Sequence, residues 1–449
     1  MVVGLAQSGL AAVRVLREQG ARVVVSEARP AEELAEAVSL AEDAGVEVFT
    51  GGHDPDHLEG AEVLITSPGV PQDAEVLRWA RSRRLPIWSE LELGARVARA
   101  PYVAVTGTNG KTTTTEMIAS ILRADGRDAV ACGNVGLPFS LAAAESHGAL
   151  VVEASSFQLR FHESFHPAVS VLLNLAPDHL DWHGSFADYR DAKARVFALQ
   201  QDGDTHVGNR DDAHAAPVSR TARCRLAWFT LDEPKAGEAG YVGADLVLRI
   251  DGEHALGRPS ADTEPLRADA AAAAAAAVSF GADPASVSAA LSRFEPLPHR
   301  GAVVAEVGGV RFVDDSKATN PHAALVALAG WADVVLVAGG RSKGVDLSPL
   351  AAATDRLRGV VAIGEAASEL VALFPHNVPV RTATTMDSAV EKAFSMAPPG
   401  GTVLLAPACA SQDMFRDYAE RGDRFAAAAR ALAGRSKLHT PDPRKVARG

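Results

Sequence analysis

In Val103-Ala-Val-Thr-Gly107-Thr108-Asn109-Gly110-Lys111-Thr112-Thr113 an apolar run enters a glycine turn, and a lysine and two threonines then open a helical stretch. A loop of this kind aims backbone N–H groups, a helix N-terminus and one ammonium at a single spot, which suits polyphosphate. The common phosphate-loop pattern needs a glycine five residues before Gly110, where this chain has Val105, so the loop is a shortened variant.

Other residues with chemical potential follow apolar runs in the same way. Glu153 ends one such run and precedes Ala154-Ser155-Ser156-Phe157-Gln158. A carboxylate at the carboxyl end of a parallel strand, in the sheet that carries the phosphate loop, is placed to hold magnesium; a surface salt bridge is the plainer alternative. The next run leads into Asn174-Leu-Ala-Pro-Asp178-His179-Leu-Asp181, where two carboxylates flank a histidine at a strand end. Lys193, in Tyr189-Arg190-Asp191-Ala192-Lys193, reads by pattern alone as one more surface lysine on a helix.

Three later turns share one arrangement. Asp314-Asp315-Ser316-Lys317-Ala318-Thr319-Asn320 follows an apolar run and opens a helix that Asp315 or Ser316 is expected to cap. Gly339-Gly340-Arg341-Ser342-Lys343 and Ala406-Pro407-Ala408-Cys409-Ala410-Ser411 repeat the pattern after two further runs. Lys317, Thr319, Lys343 and Ser411, presented along one sheet edge, describe a receptor for a small dicarboxylate.

The elements that must hold these residues fall into three α/β blocks. In the first, apolar runs at 2–3, 23–25, 46–49 and 63–65 alternate with helical segments. Its turn Gly4-Leu5-Ala6-Gln7-Ser8-Gly9 approaches a dinucleotide fingerprint with Ala6 at the middle glycine, and Glu27 follows the second run where a ribose ligand often sits; a plain tight turn fits equally well. In the second block, runs at 149–153 and 169–174, a helix over 186–200, a small β appendage at 226–229 and 246–250, and an alanine helix at 270–277 are expected. The third has runs at 310–314, 334–338, 360–363 and 403–405. Short connections predict mostly parallel, doubly wound sheets: a Rossmann-like domain over 1–89, a central phosphate-loop ATPase-type domain over 90–296, a second Rossmann-like domain over 297–434, and a disordered basic tail over 435–449.

Length of 449 residues agrees with roughly three domains. A net charge of −12 argues against nucleic acid as a partner, though not against anionic small molecules met by a local basic pocket. Three cysteines, Cys132, Cys224 and Cys409, lie far apart without metal-ligand spacing, which suits a reducing compartment. No run reaches the length of a membrane span and no signal peptide precedes the first run, so a cytoplasmic protein without a membrane partner is expected. Because Met1-Val2-Val3 already reads as a strand, a few residues of the natural start are expected to be missing.

Taken in order, Gly107-Thr-Asn-Gly-Lys-Thr-Thr113, Gly133-Asn134-Val-Gly136, Glu153-Ala-Ser-Ser-Phe-Gln158, Asp178-His-Leu-Asp181, Leu297-Pro-His-Arg300, Asp315-Ser-Lys-Ala-Thr-Asn320 and Pro407-Ala-Cys-Ala-Ser411 resemble the Mur ligases of peptidoglycan synthesis, up to about residue 432. The resemblance implies ATP-dependent addition of D-glutamate to UDP-N-acetylmuramoyl-L-alanine through an acyl phosphate, by a monomer using ATP and two magnesium ions. It implies that Gly107, Thr108, Asn109, Gly110, Lys111, Thr112 and Thr113, with Arg300 and Asp315, bind ATP. Thr112, Glu153, His179 and a carbamylated Lys193 would hold metal, with Lys111, His179 and Lys193 catalytic. Gln7, Ser8, Glu27, Ser67, Pro68, Gly69 and Asn134 would meet the UDP-substrate, and Lys317, Thr319, Lys343, Ser411 and Tyr418 the D-glutamate. Family members carry a His-Asn pair and a further Asn before the alanine helix; this chain has Leu266-Arg267-Ala268-Asp269 there, so how adenine is held is open. The alternatives are a related ligase of other amino-acid specificity, or a homologue that binds ATP without ligating.

Overall fold

The computed structural model describes residues 1–260 and 263–438 and contains three sheets. The first is all parallel, in the order Glu47–Phe49, Val24–Ser26, Val2–Val3, Leu64–Thr66, Ile87–Ser89. The second has nine strands, ordered His254–Gly257, Asp245–Leu248, Glu238–Val242, Arg225–Phe229, Thr205–Asn209, Val169–Leu172, Tyr102–Thr106, Ala149–Glu153 and Ala129–Gly133. Its pairings are parallel except those of Asp245–Leu248, which runs antiparallel to both its neighbours. The third is ordered Ala302–Val307, Val310–Asp314, Thr402–Leu405, Val334–Gly339, Leu357–Ile363, Val380–Ala383, and is parallel apart from Ala302–Val307.

Each expected block thus brings one sheet, and the α/β reading holds. The expected β appendage is instead the continuation of the central sheet: Arg225–Phe229 pairs in parallel with Thr205–Asn209 and with Glu238–Val242, and the antiparallel pairing begins beyond Glu238–Val242. Seven strands escaped the sequence reading: Ile87–Ser89, Ala129–Gly133, Thr205–Asn209, Glu238–Val242, His254–Gly257, the hairpin partner Ala302–Val307, and Val380–Ala383. The helix expected over 186–200 ends at Ala194 and continues only as a short 3-10 turn, Arg195–Phe197.

The chain divides into two compact units. Met1–Ala176 with Trp182–Glu295 contains the first two sheets; Pro177–Asp181 with the chain from Pro296 onward contains the third.

Strands Tyr102–Thr106 and Ala149–Glu153 are buried along their whole length, as near-continuous apolar runs in a parallel sheet covered on both faces should be. The alanine run forms the middle of helix Glu264–Ser279, and all eight alanines at 270–277 are without exposed surface. Their small side chains let this helix approach the phosphate-loop helix Lys111–Ala124 closely, which backs the loop with a rigid layer. In the second unit helix Tyr418–Leu438 runs four residues into the stretch expected as a tail; the rest of that stretch lies outside the described residues. Among the described residues no helix is long and apolar enough to cross a membrane.

Candidate functional site

In the first unit the loop between Tyr102–Thr106 and Lys111–Ala124 is held from the neighbouring strand. Asn174 clips it twice, accepting from the Asn109 N–H at 2.8 Å and donating to the Asn109 carbonyl at 3.1 Å. Thr108 donates through Oγ1 to the Ala176 carbonyl at 3.2 Å and receives the Tyr189 hydroxyl at 3.0 Å. Gly110, in the left-handed region at φ 85°, caps the helix, and a Cβ there would lie 2.2 Å from Asp269 Oδ1. Glycine is therefore required on two counts, conformation and space. Asp269 accepts from Thr114 Oγ1 at 3.2 Å, so the residue standing near the family's missing amide braces the start of the helix that follows the loop.

Lys111 folds back over the turn, its ammonium donating to the carbonyls of Gly107 at 3.1 Å and Thr108 at 2.9 Å. Lys193 is 2% exposed and donates to that same Gly107 carbonyl at 2.6 Å, with the Tyr189 ring 4.9 Å away. The surface-lysine alternative is thereby overturned: helix Phe186–Ala194 buries Tyr189, Ala192 and Lys193 on one face. Glu153 is likewise buried at its strand end. Its Oε1 accepts from Asn134 Nδ2 at 2.9 Å, while Oε2 is buried with no hydrogen-bond partner among the described residues. A buried carboxylate oxygen left without a donor is costly unless a cation meets it, so the donor set fits a magnesium ion and not the surface salt bridge. Thr112 is half-buried in the first helical turn, and the Thr113 hydroxyl is buried with no hydrogen-bond partner among the described residues.

The expected nucleotide turn of the first sheet is a tight one. A Cβ on Gly9 would lie 2.0 Å from the Gly4 carbonyl, and Gly4 itself sits at φ 88° against the Ser67 side chain. Ser67 donates to the Gly4 carbonyl at 3.2 Å, which joins the turn to the Ser67-Pro68-Gly69 loop. Gln7, exposed beside Ser8 at the start of helix Gln7–Glu18, donates to the Gly136 carbonyl at 2.8 Å and ties the turn to the Asn134 loop. Glu27 points inward. Its carboxylate receives the Leu5 N–H at 2.7 Å and the backbone and guanidinium of Arg29. Burial alone would raise its pKa, but these donors outweigh burial and hold it down to about 2. Trp182 and Gln72, unremarked in the sequence, pin the same loop: Trp182 Nε1 donates to the Val70 carbonyl at 3.0 Å, and Gln72 Nε2 to the Trp182 carbonyl at 3.2 Å.

In the second unit the three turns expected to form a receptor lie side by side. Helix Pro321–Ala329 begins later than expected and is capped by Asn320, whose Oδ1 accepts from the Ala323 N–H at 2.9 Å; neither Asp315 nor Ser316 caps it. Pro321 at the first helical position explains the delay, because proline disfavours helical backbone in the residue before it. This leaves residues 315–319 as an open loop. There Lys317 lays its ammonium 3.6 Å over the Tyr418 ring, and Thr319 is half-buried. Loop 406–411 is stitched alongside by the Ala408 N–H to the Ala318 carbonyl at 2.9 Å and by paired backbone bonds between Arg341 and Ala410. Ser411 is buried at its end. Lys343, at φ 59°, directs its ammonium onto Asp178 at 2.5 Å, and Asn320 Nδ2 donates to the same carboxylate at 3.2 Å. His179, also at positive φ, is half-exposed next to it.

Asp315 is half-buried near Arg300. Burial raises its pKa, Arg300 opposes this and Asp314 adds to it, leaving it at about 7. Arg421, which the sequence reading passed over, is buried among these loops, and burial lowers its pKa. The sequence does carry a signal for it: Arg421 lies on the stripe Phe425, Ala428, Ala429 and Leu432 of its helix, at apolar spacing where a charge needs a reason.

Comparison with known proteins covers nearly the whole chain. Residues 1–89 match the Mur ligase MurD-like N-terminal domain, 105–248 the Mur ligase middle domain, and 299–409 the Mur ligase glutamate ligase domain. A UDP-N-acetylmuramoylalanine–D-glutamate ligase of Frankia casuarinae is 44% identical over 97% of this chain and 94% of its own length. Ligases of the same description from Thermobifida fusca and Geobacter metallireducens are 42% and 40% identical, each over 96% of this chain and 98% and 97% of their own. Among solved structures, a UDP-N-acetylmuramate–alanine ligase and an ADP complex of the MurF ligase, both from Thermotoga maritima, share the fold with TM-scores of 0.59 and 0.61. They cover 98% and 93% of this chain and 99% and 96% of their own, at 19% and 17% identity.

Proposed function

The chain belongs to the Mur ligase family, and from that premise we propose that it joins D-glutamate by an amide bond to UDP-N-acetylmuramoyl-L-alanine, driven by ATP, in the cytoplasmic synthesis of peptidoglycan precursors. The observation that carries the reading is the convergence of Lys111 and Lys193 on the Gly107 carbonyl, in the sheet where Glu153 offers a buried oxygen.

A carboxylate must attack the γ-phosphorus of ATP although both partners are anionic. Lys111 and the N–H groups of residues 107–113 offset that repulsion and stabilise the transferring phosphoryl group. The product is an acyl phosphate; the amine of D-glutamate attacks its carbonyl, and phosphate leaves. Lys317, Thr319, Lys343, Ser411 and Tyr418 hold the D-glutamate, and His179 is the candidate acceptor of the amine's proton. Arg300 and Asp315 meet the nucleotide. Gln7, Ser8, Ser67, Pro68, Gly69 and Asn134 line the UDP-substrate side, with Glu27 organising the turn.

Glu153, Thr112 and Lys193 in its carbamylated form would hold magnesium. Uncarbamylated, the Lys193 cation would repel the ion. A magnesium ion held there would supply charge neutralisation at the phosphates.

The test is phosphate release from ATP with UDP-N-acetylmuramoyl-L-alanine and each of D-glutamate, L-alanine and L-lysine. Release with D-glutamate alone is expected. Release with another amino acid instead assigns a different specificity, and nucleotide binding without release under any combination leaves a non-ligating homologue.

A further inference from the structure

Arg421 has the largest side chain of the fully buried set among the described residues. Burying a guanidinium is expensive unless its donors are all used. Here Nε donates to Ser316 Oγ at 3.0 Å, one terminal nitrogen to the Ser316 carbonyl at 2.8 Å, and the other to the Cys409 carbonyl at 3.0 Å. The planar fork therefore grips two loops at once. One follows strand Val310–Asp314 and carries Lys317 and Thr319; the other follows Thr402–Leu405 and ends in Ser411. These strands are parallel neighbours, so their carboxyl ends open side by side. Ser316 passes the contact on, donating to the Tyr418 carbonyl at 2.7 Å, and the Tyr418 ring carries the Lys317 ammonium. The next residue leaves no slack: a Cβ on Gly422 would lie 2.2 Å from His299 Nδ1 and 2.8 Å from Asp314 Oδ2, so the helix is pressed against the strand that ends in Asp314.

We propose that Arg421 is a positioning residue for the acceptor amino acid: it sets the spacing between the Lys317–Thr319 loop and the Ser411 loop, and hence the fit of the dicarboxylate, without touching substrate. The inference rests on the reading of these loops as the D-glutamate receptor. An apolar residue of similar length could fill the volume, but it could not hold Ser316 and Cys409 at one fixed separation. A lysine has a single nitrogen and can serve one loop only.

The experiment measures KM for each of the three substrates, and kcat, in Arg421→Lys, Arg421→Met, Ser316→Ala and Ser411→Ala. In Arg421→Lys the KM for D-glutamate should rise at least tenfold, with kcat falling less and the KM values for ATP and the UDP-substrate within twofold of the parent; Arg421→Met should be worse. A D-glutamate KM within twofold of the parent in Arg421→Lys overturns the inference, as does a parallel rise in all three KM values. Should the Arg421 variants fail to fold, Ser316→Ala decides: it removes one of the three contacts, a threefold rise confined to D-glutamate is expected, and no rise overturns. Ser411→Ala separates the two readings. If it leaves the D-glutamate KM unchanged, the receptor assignment falls and the inference with it. If it raises that KM while Arg421→Lys does not, the Arg421 inference alone falls.

Discussion

The ammonium of Lys193 lies 2.6 Å from the Gly107 carbonyl, a contact between residues 86 apart in sequence, and Lys111 reaches the same oxygen at 3.1 Å. Two cations sharing one carbonyl oppose each other; the proposed carbamylation of the buried one would convert that opposition into attraction and would add a carboxylate to the one at Glu153.

Lys193→Ala should therefore lower turnover by about two orders of magnitude, with partial recovery in added formate or acetate and no recovery in chloride. The measurement is initial-rate phosphate release across a carboxylate titration. Parent-like turnover in Lys193→Ala would remove the role altogether.

Glu153→Gln keeps the Asn134 contact available but takes away the charge on the unpartnered oxygen. The magnesium concentration for half-maximal rate should rise about tenfold or more, with nucleotide binding in the absence of metal little changed. Titrating magnesium at saturating ATP reads this directly, and an unshifted curve would place the metal elsewhere.

Gly110→Ala meets both a left-handed backbone and an Asp269 oxygen 2.2 Å from the new carbon. Destabilisation of about 2 kcal/mol is expected from denaturant unfolding, together with weakened ATP binding. In Gly110→Ala/Asp269→Ala the steric part should be recovered and the conformational part should remain.

Asp315 keeps its proton to about pH 7 in the folded chain, against 3.8 as its ordinary value. Between those values the folded state binds more protons than the unfolded one, so this group's contribution to stability declines as pH rises through that window. Asp315→Asn cannot ionise. Its unfolding midpoint should match the parent's in the acid part of the window and exceed it above neutrality; parallel pH profiles would count against the shift.

Glu27 behaves in the opposite sense, held at about 2 against 4.5. Its contribution is present above the ordinary value and is lost as pH falls toward 2. Glu27→Gln should be less stable than the parent at neutral pH, and the gap should close on acidification.

Much of the site was legible in the sequence because its residues follow strand ends at short, fixed spacing. Gly107 to Thr113 and the turns holding Lys317, Lys343 and Ser411 each follow a buried strand, Glu153 ends one, and within each sheet the parallel strands present such ends side by side. Where a local signal misled, another local feature explains it. The start of helix Pro321–Ala329 was expected too early because Asp315 and Ser316 are good capping residues, and Pro321 overrules them.

What the sequence by itself determined is which side chains follow the strand ends of three α/β blocks, and with them the proposed phosphate loop, metal carboxylate and dicarboxylate receptor. Only the tertiary structure decided that Lys193 faces Gly107 and not solvent, that Asp178 occupies Lys343, and that Arg421 spans two loops. The reason is separation along the chain. Lys193 lies 86 residues from its partner, Asp178 165 and Arg421 105 from Ser316. Helical periodicity and strand alternation constrain a side chain's face over a few residues, whereas these partners meet only once whole sheets have formed and helices have packed against them.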